Sequence, residues 1–518
     1  MRTSAVLVSL DRAPLLTVTP LQATPLASIP RLPWEEVRGA IHEVVASGGR
    51  ILALFGHVFE GQERPDLLVV LGGLHPGQLL LGRAVLDDDR FLSLTLDCEE
   101  AHLFEREIAE QFQVVLMGHP WLKPVRFAPP WRTGQAAWPL PETGAPVPGS
   151  GDFYKVEGEE IHEVAVGPVH AGVIEPGHFR FQCYGELVFH LEIVLGYQHR
   201  GVEAAILGGP HKRTLHQLET VAGDTTIGHA TAYCQALEAL AGVTISERAE
   251  YLRAAALELE RLANHTGDLG ALAGDVAFLP TASYCGRLRG DFLNLSAVLC
   301  GSRFGRGLVV PGGVAFDADA ERVKTMTERL DAAMVDLRSA VSLLWDNSGV
   351  IARFDGTGAV AKDVARKIGL VGVAARACGL ERDVRASYPT PVWRTLGIQP
   401  CVEEQGDVWS RAHVRWNEAK QSGPLVRNLL QSLPTGPVRQ PMAPLAADAL
   451  TVSLVEGWRG EICHVALTDG QGALQRYKIV DPSFHNWMGL QMALRNQQIS
   501  DFPLCNKSFN LSYCGHDL

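Results

Sequence analysis

The sequence predicts an α+β N-terminal domain followed by a mainly α domain, a helix bundle that carries a small β-hairpin sheet. Three observations lead there. Short apolar runs with Gly- or Asp-containing connections occupy the stretch up to Phe127, between helical segments, which is the pattern of an antiparallel meander with helices on one face. A Pro-rich stretch follows and disfavours helix. Beyond Glu203 the chain turns to long Ala- and Leu-rich runs with ion-pairable charges, which argue for a bundle rather than a doubly wound sheet. The expected domains are 1–127 and 151–518, with a linker over 128–150.

Taken in order, the N-terminal domain is expected to hold a helix over 34–46, strands over 50–59, 67–71, 79–86 and 91–96, and a closing helix over 99–112. It shows no catalytic constellation. The proline-punctuated stretch 124–151 reads as extended backbone. Two alternating runs, 178–184 and 187–193, meet at Gly185 and predict a hairpin. Helices are then expected over 232–241, 246–272, 287–300, 318–345 and 407–430, with Ser246 as an N-cap.

At 518 residues, 46% hydrophobic and 20% charged, the chain has apolar content for two or three sizeable cores. A formal net charge of −12 argues against a nucleic-acid partner and supplies no polybasic membrane signal. Asp11, Arg12 and Pro14 interrupt the first apolar patches, so no signal peptide is expected. No apolar run approaches the roughly 18 residues of a membrane span, which predicts membrane association only through partners. Ten scattered cysteines form no CxxC pair. Such cysteines are expected to be reduced and buried as small hydrophobes.

The ionisable residues concentrate in 167–203, GPVHAGVIEPGHFRFQCYGELVFHLEIVLGYQHRGVE. Glu175, His178, His199, Arg200 and Glu203 stand there beside glycines, which suits the wall of a polar, proton-handling cavity. A surface hairpin with solvated charges fits the same residues.

GPxHAGxxEPGHFRF followed by LGYQHRGVE resembles the start of the large subunit of membrane-bound nickel–iron hydrogenases and of its relative, the 49-kDa quinone-site subunit of respiratory complex I. The two form one family. Segments 369–389 and 406–422 resemble further landmarks of it, and 104–127 resembles the complex I 30-kDa subunit, which implies a fusion of two subunits. The resemblance implies that Glu175 is a proton-transfer glutamate, His178 a quinone-headgroup histidine, and Arg459, in EGWRGE, an arginine that supplies charge over the active site. Arg200 and Glu203 join them as candidate catalytic groups, because burial and a nearby arginine shift a carboxylate in opposite directions. His178, Thr220 and His229 are the positions expected to contact a cofactor. Thr220 falls where the complex I subunit has its quinone tyrosine, and no tyrosine stands there.

Nickel in this family needs four soft thiolates from two CxxC pairs. This chain has Ala222, Thr225, Ser483 and Asn486 at those positions. Alanine has no donor atom, and hydroxyls and amides are poor nickel ligands, so no nickel is expected. Asp224, His229, Asp481 and His485 remain as candidates for a harder metal, with hydrogen-bonded structural groups as the alternative. Cys514 and His516 are too few for a ligand cluster.

The resulting expectation is the large subunit of a membrane-associated, complex-I- and hydrogenase-like oxidoreductase complex with a retained cavity and no nickel–iron site. It would pass electrons from the cluster of an iron–sulfur small subunit to a quinone-like or other acceptor, coupled to ion translocation by membrane subunits. The chain itself is expected to bind no cofactor and to sit peripherally on the cytoplasmic face. The alternatives are a non-catalytic coupling subunit and an active hydrogenase of the formate hydrogenlyase type.

Overall fold

The computed structural model describes residues 14–138, 147–149 and 151–518. A sheet-containing N-terminal region precedes the long helices, in line with the sequence. Strands Arg50–His57, Asp66–Gly72 and Leu79–Val85 form an antiparallel meander, and Leu16–Val18 and Arg31–Pro33 both pair with the third of these. The helix Trp34–Ala46 buries Val37, Ile41 and Val44, one apolar stripe at helical spacing. The expected strand over 91–96 is a correction. Only Arg90–Leu92 is extended, and it pairs in parallel with Val115–Met117 in a separate sheet. Ser93 and Leu94 turn instead around the buried Glu105 carboxylate, which accepts from the Ser93 hydroxyl at 2.6 Å and the Leu94 N–H at 2.7 Å.

The hairpin forms as expected, His178–Tyr184 against Leu187–Val194, with Ile161–Val166 as a third strand. The bundle consists chiefly of Thr226–Ala241, Glu247–Asp275, Leu279–Cys300, Ala320–Trp345 and Val408–Gln431. Ser246 caps the second of these by accepting the Ala249 N–H at 3.1 Å. The central helix Glu247–Asp275 packs against Leu279–Cys300 on one side and Val408–Gln431 on another.

One sheet was not anticipated. Ala449–Glu456, Glu461–Thr468 and Leu474–Val480 are antiparallel neighbours, with Thr24–Pro25 at the edge. Every residue of the first two strands is buried. Thr226–Ala241 packs on this sheet, while Leu450, Val452, Leu454 and Val465 share a core with Ile51, Leu54, Phe55 and Val69. The N-terminal region and the C-terminal sheet are therefore one packed body. Buried ion pairs fasten it: Arg50 donates to Glu461 at 2.6 Å, and Glu107 receives Lys478 at 2.6 Å and Arg126 at 2.9 Å. Residues 139–146 and 150 of the Pro-rich linker, and residues 1–13 where a signal peptide was considered, lie outside the described residues. Among the described residues no helix is long and apolar enough to cross a membrane.

Candidate functional site

Arg459 occupies the turn between Ala449–Glu456 and Glu461–Thr468 and is only 5% exposed. All three nitrogens of its guanidinium are engaged. Nη1 and Nη2 donate to the two Asp224 carboxylate oxygens at 2.5 and 2.8 Å, Nη1 also reaches the Thr225 hydroxyl at 3.3 Å, and Nε donates to the Asn510 carbonyl at 2.5 Å. The group lies 3.9 Å over the Trp458 ring, whose indole N–H holds the Asp224 carbonyl at 3.0 Å. Burial opposes the charge, but Asp224 more than offsets it, and the pKa of Arg459 is raised.

The four positions that the sequence resemblance sets against nickel thiolates can be read directly. Ala222 is a buried methyl, and the Thr225 hydroxyl receives Arg459. The Ser483 hydroxyl oxygen accepts the Ser512 N–H at 2.9 Å. The Asn486 amide is matched to the Val371 backbone, accepting its N–H at 3.0 Å and donating to its carbonyl at 3.1 Å. Three of the four carry neutral donors already spent inside the protein, so the residues present do not fit a nickel–iron centre. Among the described residues, no group of three or more His, Cys, Asp and Glu side chains is placed to hold a metal ion. Asp224, His229, Asp481 and His485 form no shell: Asp224 serves Arg459, and His485 turns to Phe104, with ring centroids 5.6 Å apart. Burial pushes the His485 pKa down to about 3.

His229, expected at a cofactor, instead sits inside a buried chain of four groups. Its Nε2 lies 3.0 Å from an Asp481 oxygen and its Nδ1 3.1 Å from His464 Nε2, while His464 Nδ1 lies 2.9 Å from the Tyr477 hydroxyl. A neutral imidazole offers one donor and one acceptor. A single polarity therefore satisfies every member: Tyr477 donates to His464, His464 to His229, and His229 to Asp481. Burial holds His464 well below its ordinary pKa. Burial would raise Asp481, but the hydrogen bond from His229 and the Arg459 charge act against this, and its pKa is lowered. His229 thus holds the Asp481 carboxylate in place.

Beneath the same turn lies Glu260, whose carboxylate accepts the Ile227 N–H at 2.7 Å and the Gly228 N–H at 3.2 Å at the start of the Thr226–Ala241 helix. Burial pushes its pKa up to about 8, against the two N–H bonds that lower it. The folded value lies above the ordinary one. The group's stabilising contribution is therefore complete below the unfolded pKa near 4.5 and is lost as pH rises to about 8. Glu260→Gln keeps a neutral acceptor and should gain in Tm on the wild type as pH is raised from about 5 to about 9. A Tm gap that stays constant over that range would contradict this.

The residues expected to act with Arg459 divide. Glu175 is half-buried, accepts from Gln198 Nε2 at 2.6 Å, and faces Cys514, whose thiol is raised by burial and then by Glu175. Arg200 spends its guanidinium on three carbonyls, of Thr220 at 2.6 Å, Val221 at 2.9 Å and Cys514 at 3.0 Å. It is a clamp that ties the 220–221 turn to the C-terminal segment, and Thr220 contributes a backbone carbonyl to it. His178 lies apart, accepting from Arg180 Nε at 3.3 Å and packed 5.1 Å from the Phe153 ring. Burial and then Arg180 lower its pKa. Glu203, expected as a catalytic group, is placed elsewhere. It is buried against Arg476 at 2.9 Å, Lys478 at 3.2 Å and the Ile479 N–H at 2.9 Å. Burial would raise it, but Lys478 and Arg476 bring it down to about 2, so it stays ionised near neutral pH.

Glu175, Arg200, Thr220, Asp224, Cys514 and Arg459 therefore meet around two turns, while His178 and Glu203 stand outside that meeting point. Glu260, His464 and Tyr477 were missed as site residues. A signal for Glu260 exists: Glu258, Glu260, Arg261, Asn264, His265 and Asp268 put a buried polar stripe into an otherwise Ala- and Leu-rich helix. Polar groups at helical spacing with apolar neighbours point inward as a network.

Hairpin, helix bundle and C-terminal sheet converge on these turns. Residues 275–449 match the family described as "Respiratory-chain NADH dehydrogenase, 49 Kd subunit". The chain is 32% identical over 355 residues to the carbon monoxide-induced hydrogenase of Rhodospirillum rubrum, covering 67% of this chain and 97% of that one. It is 28% identical over 369 residues to an NADH-quinone oxidoreductase subunit of Thermus thermophilus, covering 66% and 90% respectively. In fold it is similar to a chain of the membrane-bound sulfane sulfur reductase, an archaeal respiratory membrane complex, with a TM-score of 0.65 at 23% identity over 70% of this chain and 100% of that one. The chain belongs to the family that unites the complex I 49-kDa subunit with the large subunits of membrane-bound hydrogenases.

Proposed function

We propose that the chain is the large subunit of a membrane-associated oxidoreductase complex of the complex I and hydrogenase type that works without a nickel–iron centre. The observation that carries this reading is the Arg459–Asp224 pair, which fills the place beside Thr225 and Ala222 with a fixed ion pair while Glu175 stays half-exposed near Cys514. Electrons would come from an iron–sulfur small subunit and pass to a quinone-like or other small acceptor. Glu175 and His178 would handle the proton, with Arg459 as a permanent charge. Val169 and Ile174, 89% and 53% exposed, flank Glu175 on one loop and offer apolar surface to the partner. Ion-translocating membrane subunits would hold the chain on the cytoplasmic face.

A second reading, a coupling subunit without redox chemistry, draws on the spent hydrogen bonds of Arg200, Glu203 and Arg459. Gentle purification from the native host, with metal analysis and identification of bound subunits, tests the first reading. Recovery with an iron–sulfur subunit and membrane subunits, without stoichiometric nickel or hydrogen evolution, is expected. Stoichiometric nickel with hydrogen uptake, or a stable solitary chain, would sink it.

A further inference from the structure

A cavity of about 350 Å³ opens between the N-terminal region and the 362–388 segment, lined among others by Arg50, Lys362, Arg366, Arg382, Tyr388 and Glu461. Its acids are largely spent. Glu461 is paired with Arg50, Asp383 with Arg385 at 2.7 Å, and Glu456 with Arg376 at 2.7 Å while accepting the Val384 N–H at 2.9 Å. Glu381, exposed at the rim, is the fourth carboxylate of the lining.

Of the lining cations, Arg50 is held by Glu461 and the other three are not ion-paired among the described residues. Among the described residues neither Lys362 nor Arg366 makes an ion pair, and the Arg382 guanidinium makes one hydrogen bond, from Nη1 to the Leu370 carbonyl at 2.7 Å. The carboxylates of Glu100 and Glu461 act on Arg382 from a distance, but burial and the Arg50 charge outweigh them and push its pKa down to about 10. Tyr388 accepts the Gly73 N–H at 2.8 Å, which leaves its own hydroxyl hydrogen without an acceptor among the described residues. The partly buried Arg382 guanidinium and the Tyr388 hydroxyl hydrogen are thus left as unused donors on one cavity, and a bound anion would supply their missing partners.

We infer that this cavity binds a small phosphate-bearing anion, inorganic phosphate or a phosphomonoester. The donors come from two stretches of the chain, 362–366 and 382–388, and donors arriving from more than one direction suit a tetrahedral group better than a planar carboxylate. Guanidinium and ammonium groups both recognise phosphate, the first through a fork of N–H bonds and the second as a point charge. The site lies across the Val371–Gly372 backbone from Arg459. Gly372 has φ +61° and approaches so closely that a Cβ there would stand 2.0 Å from the Arg459 carbonyl oxygen. An anion held by Arg382 would therefore brace the loop that backs Arg459. This inference does not depend on the redox reading.

Calorimetric titration of the intact complex with sodium phosphate and with glycerol 3-phosphate, at low and chloride-matched ionic strength, tests it. Saturable binding of at least one of the two is expected, weakened at least about tenfold by Arg382→Gln and by Lys362→Gln. Lys362 is exposed at the rim, so its variant keeps the test open if the Arg382 variant fails to fold. No saturable binding of either probe, or binding that Lys362→Gln leaves unchanged, overturns the site. Flotation with phosphatidylglycerol vesicles that both variants abolish, without binding of the soluble phosphates, overturns the small-molecule assignment in favour of a lipid headgroup.

Discussion

Glu418→Ala is expected to destabilise the folded chain by about 3–5 kcal/mol, because it strips the common partner from several buried charges. The Glu418 carboxylate sits on the helix Val408–Gln431 and receives Arg376 at 2.7 Å, Arg261 at 3.1 Å and His265 at 2.9 Å. All four side chains are at most 1% exposed. Burial would raise the Glu418 pKa, but Arg376 and then His265 hold it well below the carboxylate range. The network continues, with Arg376 on Glu456 at 2.7 Å and Arg385 on Glu258 at 2.8 Å, so it ties the central helix to the C-terminal sheet. Without the carboxylate, Arg376 and Arg261 keep their charge in a dry interior. A denaturant titration should show the midpoint moving down with the cooperative transition retained. A loss below about 1 kcal/mol, the scale of an exposed pair, would mean that water reaches the network.

How much of this was legible in the sequence depends on whether partners are local. The helix over 34–46 and the Ser246 cap follow from periodicity and from one side chain three residues from its donor, and both form as expected. The hairpin at Gly185 is equally local. The C-terminal sheet escaped because its first two strands are covered on both faces, so the alternation that marks a half-buried strand is absent. The 91–96 run looked like a strand, yet Glu105, 10 residues or more along the chain, needed its backbone N–H groups.

The site divides in the same way. The segment around Arg459 stood out, but its partner Asp224 is 235 residues distant, and nothing local joins them. Glu203 looked like a proton handler because it follows His199 and Arg200. Its real partners, Arg476 and Lys478, come from the last strand of the unanticipated sheet. Arg200 was expected to tune a carboxylate and instead spends its donors on carbonyls, which no side-chain pattern reveals. The missing thiolates needed no structure. Structure adds what replaced them: Asn486 mated to Val371, Ser483 to Ser512, and Thr225 to Arg459.

The central claim, that this subunit handles protons for a redox reaction without nickel, rests on Glu175 and His178. Glu175 has the geometry for it, half-buried with one oxygen on Gln198 at 2.6 Å and Cys514 close by. His178 has a ring nitrogen that accepts from Arg180 and a pKa lowered by burial and then by that arginine. Glu175→Gln preserves shape and removes the ionisable carboxyl, and His178→Ala removes the ring from a strand end whose backbone pairing does not need it. Positioned acid–base groups typically contribute about 10²–10⁴-fold in rate. The direct measurement is electron-transfer turnover of the intact complex carrying each substitution, with assembly followed in parallel by subunit recovery. The account predicts full assembly and turnover reduced at least about tenfold in both; wild-type turnover in both variants would contradict it and leave the chain a purely structural role.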